Sequence, residues 1–195
     1  MSDPGLMVEE SSRLSILLVE GDPLSAKDAI EALRGHEVVL AKTLDEVLDL
    51  SLQVGLNQRR RFDYILSSVH MPESEGKEQQ AMASAILSIA MGEDTPVCFV
   101  TRAKDEISIV ALDQDAVSEA VFGNDHSGDV QNLKPSDRKS VKGGKKTGEV
   151  WMQALQMLQN CSARPVSVTI NMKDLTRLFG DMVPQMPKAD KKPRG

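Results

Sequence analysis

The stretch LSILLVEGDP, Leu14–Pro23, decides the reading of the fold. Leu14 to Val19 is a short continuous apolar run bounded by turn signals, which reads as a buried strand. Asp22-Pro23 then supplies an N-cap and a proline at the first helical position. The helix so opened carries Ala26, Ala29, Ile30 and Leu33 on one face. A strand running directly into a helix start is the first half of a β-α-β unit, so the chain around it is searched for the same alternation.

The alternation continues. His36 to Ala41 reads as a second strand, and Thr43-x-x-Glu46 is a capping box before a helix bearing Leu44, Val47, Leu48, Leu52 and Leu56. Phe62 to Ser67 reads as a third strand, and Lys77 to Met91 places Ala81, Met82, Ala85, Ile86, Ile89 and Ala90 on one helical stripe. Pro96 to Val100 is a fourth strand. Ile107, Val110 and Ala111 follow at helical spacing, and Ala120 to Phe122 reads as a fifth strand. Short apolar strands separated by helices imply a parallel sheet covered on both faces, because each crossover packs a helix back onto it.

From Asn124 to Thr147 the composition changes. Lys134, Arg138, Lys139, Lys142, Lys145 and Lys146 stand against Asp125, Asp129 and Asp137 with almost no large apolar residue, which reads as a flexible basic insertion. Helical period resumes with Val150, Trp151, Ala154, Leu155 and Leu158. Val166, Val168 and Ile170 then alternate like an edge strand, Leu175, Leu178 and Phe179 suggest a short helix, and the end is basic and proline-rich. The expected organisation is a tail over residues 1–13, a domain over 14–162 with the insertion at 124–147, and a partly disordered extension over 163–195.

Composition narrows the function classes. The 195 residues are 41% hydrophobic, enough for a core, and 27% charged with net charge −6. The 3% aromatic content cannot furnish the stacking platform of single-stranded nucleic-acid binders. No stretch free of Asp, Glu, Lys and Arg exceeds that from Gln79 to Gly92, too short for a bilayer span. The acidic start MSDPGLMVEE lacks the order of a signal peptide, and Cys98 and Cys161 are too few for a disulfide scaffold, so a cytoplasmic chain with reduced cysteines is expected. His36, His70 and His126 show no metal-ligand spacing with either cysteine, and Ser68 sits in no nucleophile elbow. No P-loop or G-x-G-x-x-G follows the first strand. No enzyme is expected.

LLVEGDP at the first strand's end and DYILSSVHMPESEG at the third's together resemble the receiver domain of bacterial response regulators, the CheY-like family. In that family the first strand ends in an acidic pair and the third in a phospho-accepting Asp followed by V-x-M-P-x-x-x-G, here Val69, Met71, Pro72 and Gly76. The resemblance implies a doubly wound, five-stranded parallel flavodoxin-like (βα)5 fold. It also implies a pocket at the strand ends where carboxylates hold Mg²⁺, an Asp takes up a phosphoryl group, a strand-four hydroxyl holds a phosphoryl oxygen, and a strand-five Lys pairs with the charge.

Carried over by position, Glu20 matches the first acid, but Gly21 falls where the second should stand. Ser68 falls where the accepting Asp should be, Thr101 matches the hydroxyl, and Phe122 or Gly123 falls where the Lys should be. A neutral hydroxyl and a glycine offer Mg²⁺ no carboxylate, so the resemblance implies a pseudo-receiver with no cofactor and weak or absent Mg²⁺ binding. Asp22 reads as the helix N-cap rather than a residual metal ligand. Thr101 reads equally as an anion-binding hydroxyl or a strand-end group bonding nearby backbone. Glu73 and Glu75 read as solvated loop acids, and Lys134-Pro135 resembles the family's Lys-Pro but lies too far along the chain.

The function so implied is that of a stand-alone two-component signalling protein acting by protein-protein interaction. The expected partner is a protein whose identity the sequence does not give, with a histidine kinase and a second copy as the candidates, and no membrane contact is expected. By the same resemblance the partner face comprises Ile107, Val110, Ala111, Phe122 and Trp151. Two alternatives stand beside it: a phosphorelay receiver with a displaced acceptor such as Asp63, and an adaptor contacting nucleic acid or another polyanion through the basic insertion.

Overall fold

A computed structural model of the chain describes residues 13–68, 76–103, 105–122 and 133–162. Residues 1–12 of the expected tail, the Val69–Glu75 part of the second motif with His70, Glu73 and Glu75, Gly123, the first part of the basic insertion with His126, and the 163–195 extension lie outside them. The elements are β1 (Ser15–Val19), α1 (Pro23–Ala32), β2 (Glu37–Ala41), α2 (Leu44–Gly55), β3 (Tyr64–Ser68) and α3 (Gly76–Glu93). They continue with β4 (Val97–Ala103), β5 (Glu106–Leu112), α4 (Gln114–Phe122), β6 (Asp137–Lys142) and α5 (Gly148–Ser162). The sheet order is β2-β1-β3-β4-β5-β6. The first four strands are mutually parallel, whereas β5 runs antiparallel to both β4 and β6. This is an α/β architecture whose strand order follows the flavodoxin-like pattern up to β4 and then reverses direction at β5.

Local signals account for the first half. All five residues of β1 are buried. Asp22 Oδ1 accepts from the backbone N–H groups of Leu24 at 2.9 Å and Ser25 at 2.8 Å, with Pro23 at the first turn, so its capping role is the one the structure shows. Thr43 Oγ1 accepts from Glu46 N–H at 3.3 Å, and the Glu46 carboxylate reaches back to Lys42 N–H at 2.6 Å.

Three expectations about the second half fail. Ile107, Val110 and Ala111 stand on strand β5, not on a helix. Their helical spacing competes with a period-two reading: Ile107, Ile109 and Ala111 join one core cluster and Val110 and Leu112 the other, as strand residues on opposite faces do. Ala120 to Phe122, expected as a fifth strand, is the last turn of helix α4, which Asp113 caps by accepting from Ala116 N–H at 3.0 Å. The basic stretch Asp137–Lys142, expected inside a flexible insertion, is edge strand β6. Arg138, Lys139 and Lys142 are exposed on it, and charged side chains on an edge discourage pairing with another sheet. The sheet therefore has six strands rather than five, and it is not wholly parallel.

Two apolar clusters cover the sheet. One joins Leu17, Val19, Ile65 and Phe99 to α2, α3 and α4 through Val47, Ile86 and Val117. The other joins Ile16, Leu18, Leu66 and Val100 to α1 and α5 through Ala29, Leu33 and Trp151. Both cysteines are buried in the second cluster, and burial pushes the Cys98 thiol well up, away from reactive thiolate. A Cβ at Gly148, the first residue of α5, would lie 2.9 Å from the Asp28 carbonyl and 3.0 Å from Ala32 Cβ, so glycine sets how closely α5 approaches α1. Among the described residues no helix is long and apolar enough to cross a membrane.

Candidate functional site

The carboxyl ends of β1 and β3 lie side by side, since Val19 pairs with Ser67. Glu20 continues β1 by donating its N–H to the Ala41 carbonyl at 3.0 Å, and its side chain is fully buried. Ser68 ends β3, also fully buried. Strand alternation puts both on the α1/α5 side of the sheet, with Leu18 and Leu66.

Lys146 stands between them. Its Nζ donates to Glu20 Oε2 at 2.7 Å and to Ser68 Oγ, with the Lys146 side chain 7% exposed and that of Glu20 0%. The backbone that carries it follows β6. Gly143, at φ +120°, takes a conformation other residues rarely adopt and donates its N–H to the Asp105 carbonyl at 2.8 Å. Thr147 N–H then returns to the Lys145 carbonyl at 3.1 Å, a tight turn centred on Lys146. Thr147 in turn offers its carbonyl to the first N–H groups of α5, so strand, turn and helix together hold the ammonium in place.

The network extends into the core. Glu20 Oε1 accepts from Asp22 N–H at 2.9 Å, and Oε2 also accepts from Ser25 Oγ at 2.8 Å. Ser25 Oγ in turn accepts from Trp151 Nε1 at 3.2 Å. Every polar atom of this chain, from the indole through hydroxyl and carboxylate to ammonium and second hydroxyl, thus has a partner within the protein. A carboxylate at zero exposure is tolerated because a cation and two further donors stabilise it.

The remaining expected residues are placed elsewhere. Thr101 Oγ1 donates to the Ser108 carbonyl across the β4-β5 hairpin at 3.5 Å, the backbone-bonding alternative of its two readings. Gly21 contributes no side chain. Phe122, expected in the pocket and on the partner face, is at the end of α4 and 74% exposed. Ile107, Val110, Ala111 and Trp151 are buried at 0–2% exposure, so they offer no side-chain surface to a partner. Asp63 lies at the amino end of β3, accepting from Ser15 N–H at 2.7 Å. It is a strand's length from Ser68, roughly 16 Å at the usual rise per residue. Lys134 makes a surface ion pair with Glu119 at 2.6 Å on α4.

Sequence reasoning missed Lys146 and Ser25. A signal for the lysine existed: KGGKK follows the last strand and precedes the last helix, where a side chain can turn back to the sheet's carboxyl edge. Among the described residues no group of three or more His, Cys, Asp or Glu gathers as a metal-ligand set.

No protein-family model matches the chain, and no curated protein matches it either. Among solved structures, a fusion carrying the yeast Spc42 trimeric coiled coil matches with TM-score 0.48 and 19% identity over 87% of this chain and 93% of that one. The chemotaxis response regulator CheY4 of Vibrio cholerae matches with TM-score 0.42 and 20% identity over 75% of this chain and 99% of that one. At these values neither likeness bears on what the chain does.

Proposed function

We propose that the chain is a receiver-like interaction module whose phosphorylation pocket is closed by a built-in cation, and that it signals by binding a protein partner without phosphotransfer. The observation that carries this reading is the Lys146 ammonium held between Glu20 and Ser68. In the family the chain resembles, a metal ion sits among carboxylates at these strand ends. Here the donor set does not fit Mg²⁺. Glu20 already accepts three hydrogen bonds, Gly21 supplies no ligand, and Ser68 supplies a neutral hydroxyl facing a positive charge.

The same arrangement opposes phosphoryl uptake. Among the described residues, the carboxylate that shares Lys146 with the buried Ser68 hydroxyl is Glu20, which is already engaged by three donors, and Asp63, the displaced-acceptor candidate, lies at the far end of its strand. A ligand-driven charge change at the pocket would have to break the Lys146–Glu20 pair first. Regulation therefore falls to surfaces outside the pocket.

The test uses the full chain with acetyl phosphate and Mg²⁺, followed by intact mass, and a beryllofluoride titration read by Trp151, the single tryptophan. Unchanged mass and flat fluorescence are expected. A stoichiometric gain of one phosphoryl group, or saturable uptake of beryllofluoride, overturns the proposal.

A further inference from the structure

Along α2 and its C-cap three leucines repeat every four residues and face away from the core: Leu48 is 47% exposed, Leu52 61% and Leu56, the C-cap, 58%. Leu48 also lines a groove of about 440 Å³ between α2 and α3, with Gly55, Arg61, Ile89 and Glu93. A leucine seam at i, i+4, i+8 is the pattern by which one helix packs along another. Within the described part of this chain, no element covers it.

The charges around the seam are segregated. Asp45 and Glu46 stand in the first turn of α2, with Asp49 one turn on. Arg60 and Arg61 are exposed just beyond the helix's carboxyl end, Arg60 in a long, exposed 3.7 Å ion pair with Asp63, while Arg59 is held more firmly, paired with Glu37 at 3.4 Å and stacked over Phe62 at 5.1 Å. Acid at one end of an apolar seam and base at the other is complementary to its own reverse. Two copies laid antiparallel about Leu52 bring the acidic first turn of each α2 against the arginines of the other, and the helix dipoles also oppose favourably. A parallel pairing sets like charges together.

We propose that the α2 seam is a homodimer interface, two copies pairing antiparallel through Leu48, Leu52 and Leu56 with Asp45 of each facing Arg60 and Arg61 of the other. This is not the face named by the family resemblance, most of whose expected residues are buried. It also stands independently of the pocket reading, since neither Glu20, Ser68 nor Lys146 takes part. Both copies use the same patch, so the assembly closes as a two-fold dimer and does not polymerise. A seam this short falls below the roughly 1,200 Å² of a standard stable interface, so the dimer dissociates readily on dilution.

Sedimentation velocity of the full chain up to about 1 mM tests it, a range that captures weak pairs. A sedimentation coefficient that rises with concentration is expected. Leu52→Glu, at an exposed position, abolishes the rise with an unchanged thermal melt, and Leu56→Glu serves as a second variant. Asp45→Lys weakens the association at least tenfold, and Asp45→Lys with Arg61→Glu restores it. A concentration-independent monomer, or association unaffected by both leucine variants, overturns the interface. Failure of the charge swap to restore association, with Arg61→Glu alone melting like the parent chain, overturns the antiparallel arrangement.

Discussion

The pocket at the ends of β1 and β3 and the groove between α2 and α3 each hold a buried glutamate, and they treat it oppositely. Glu20 is fully buried yet accepts from a backbone N–H, a serine hydroxyl and an ammonium. Glu93 is 9% exposed, its Oε1 accepts only a long 3.5 Å bond from Ser51, and its Oε2 has no hydrogen-bond partner. A polar group satisfied from within leaves nothing for a ligand to complete, whereas an unsatisfied one marks a place where folding left a cost uncompensated. The position to which the sequence resemblance pointed is thus the closed one, and the position to which it did not point is open.

Breaking the closed site has the largest expected effect. Lys146→Ala leaves the Glu20 carboxylate buried without its cation, which costs about 3–5 kcal/mol. Urea unfolding followed by Trp151 fluorescence reads this directly, because the indole bonds to Ser25 and Ser25 to Glu20. Pairing Lys146→Met with Glu20→Gln recovers most of the loss, since no buried charge then remains. If Lys146→Ala melts like the parent chain, the ion pair is not the pocket's closure.

Gly148→Ala comes next. The added methyl meets the Asp28 carbonyl at 2.9 Å, backbone that cannot swing aside, so α1 and α5 must separate at about 1–3 kcal/mol. Since the turn holding Lys146 leads directly into α5, the substitution also loosens the pocket, and Trp151 emission shifts with the stability loss. Asp22→Ala, which removes only the α1 cap, costs about 1 kcal/mol and leaves the emission of the folded state unchanged. The contrast between these two separates helix placement from helix capping.

How much of this was legible in the residues follows from where the determinants lie. Strands β1 to β4 and helices α1, α2, α3 and α5 are announced by local signals, apolar runs and caps that act within a few positions. Asp22 and Thr43 do in the structure what their types and spacing say. The second half escapes because its determinants are non-local. Glu106–Leu112 satisfies both a helical and an alternating pattern, and only pairing against β4 decides between them. Asp137–Lys142 carries the charges that suit an edge, and those charges also make it resemble a linker. Once β6 is hidden, the signal in KGGKK loses its anchor: without the strand before it, the run does not say which of its lysines turns inward to a glutamate 126 positions earlier.

The smallest effect, and the one that sharpens the comparison most, is at Glu93. Burial raises its carboxyl above the ordinary 4.5, against weaker opposing pulls from the Ser51 hydrogen bond and the Arg61 charge. Below 4.5 the folded and unfolded chains are both protonated and the group contributes nothing to pH dependence. As pH rises from 4.5 through the raised value, the unfolded chain loses its proton first, so stability falls across that window and stays lowered above it. Glu93→Gln removes this slope: near neutral pH the variant is the more stable of the two, and the difference closes as pH falls toward 4.5. Urea midpoints taken across that range check it. The opposite slope, with the parent chain gaining stability as pH rises through the window, would mean that Glu93 has found a cation, and the two glutamates would then be alike.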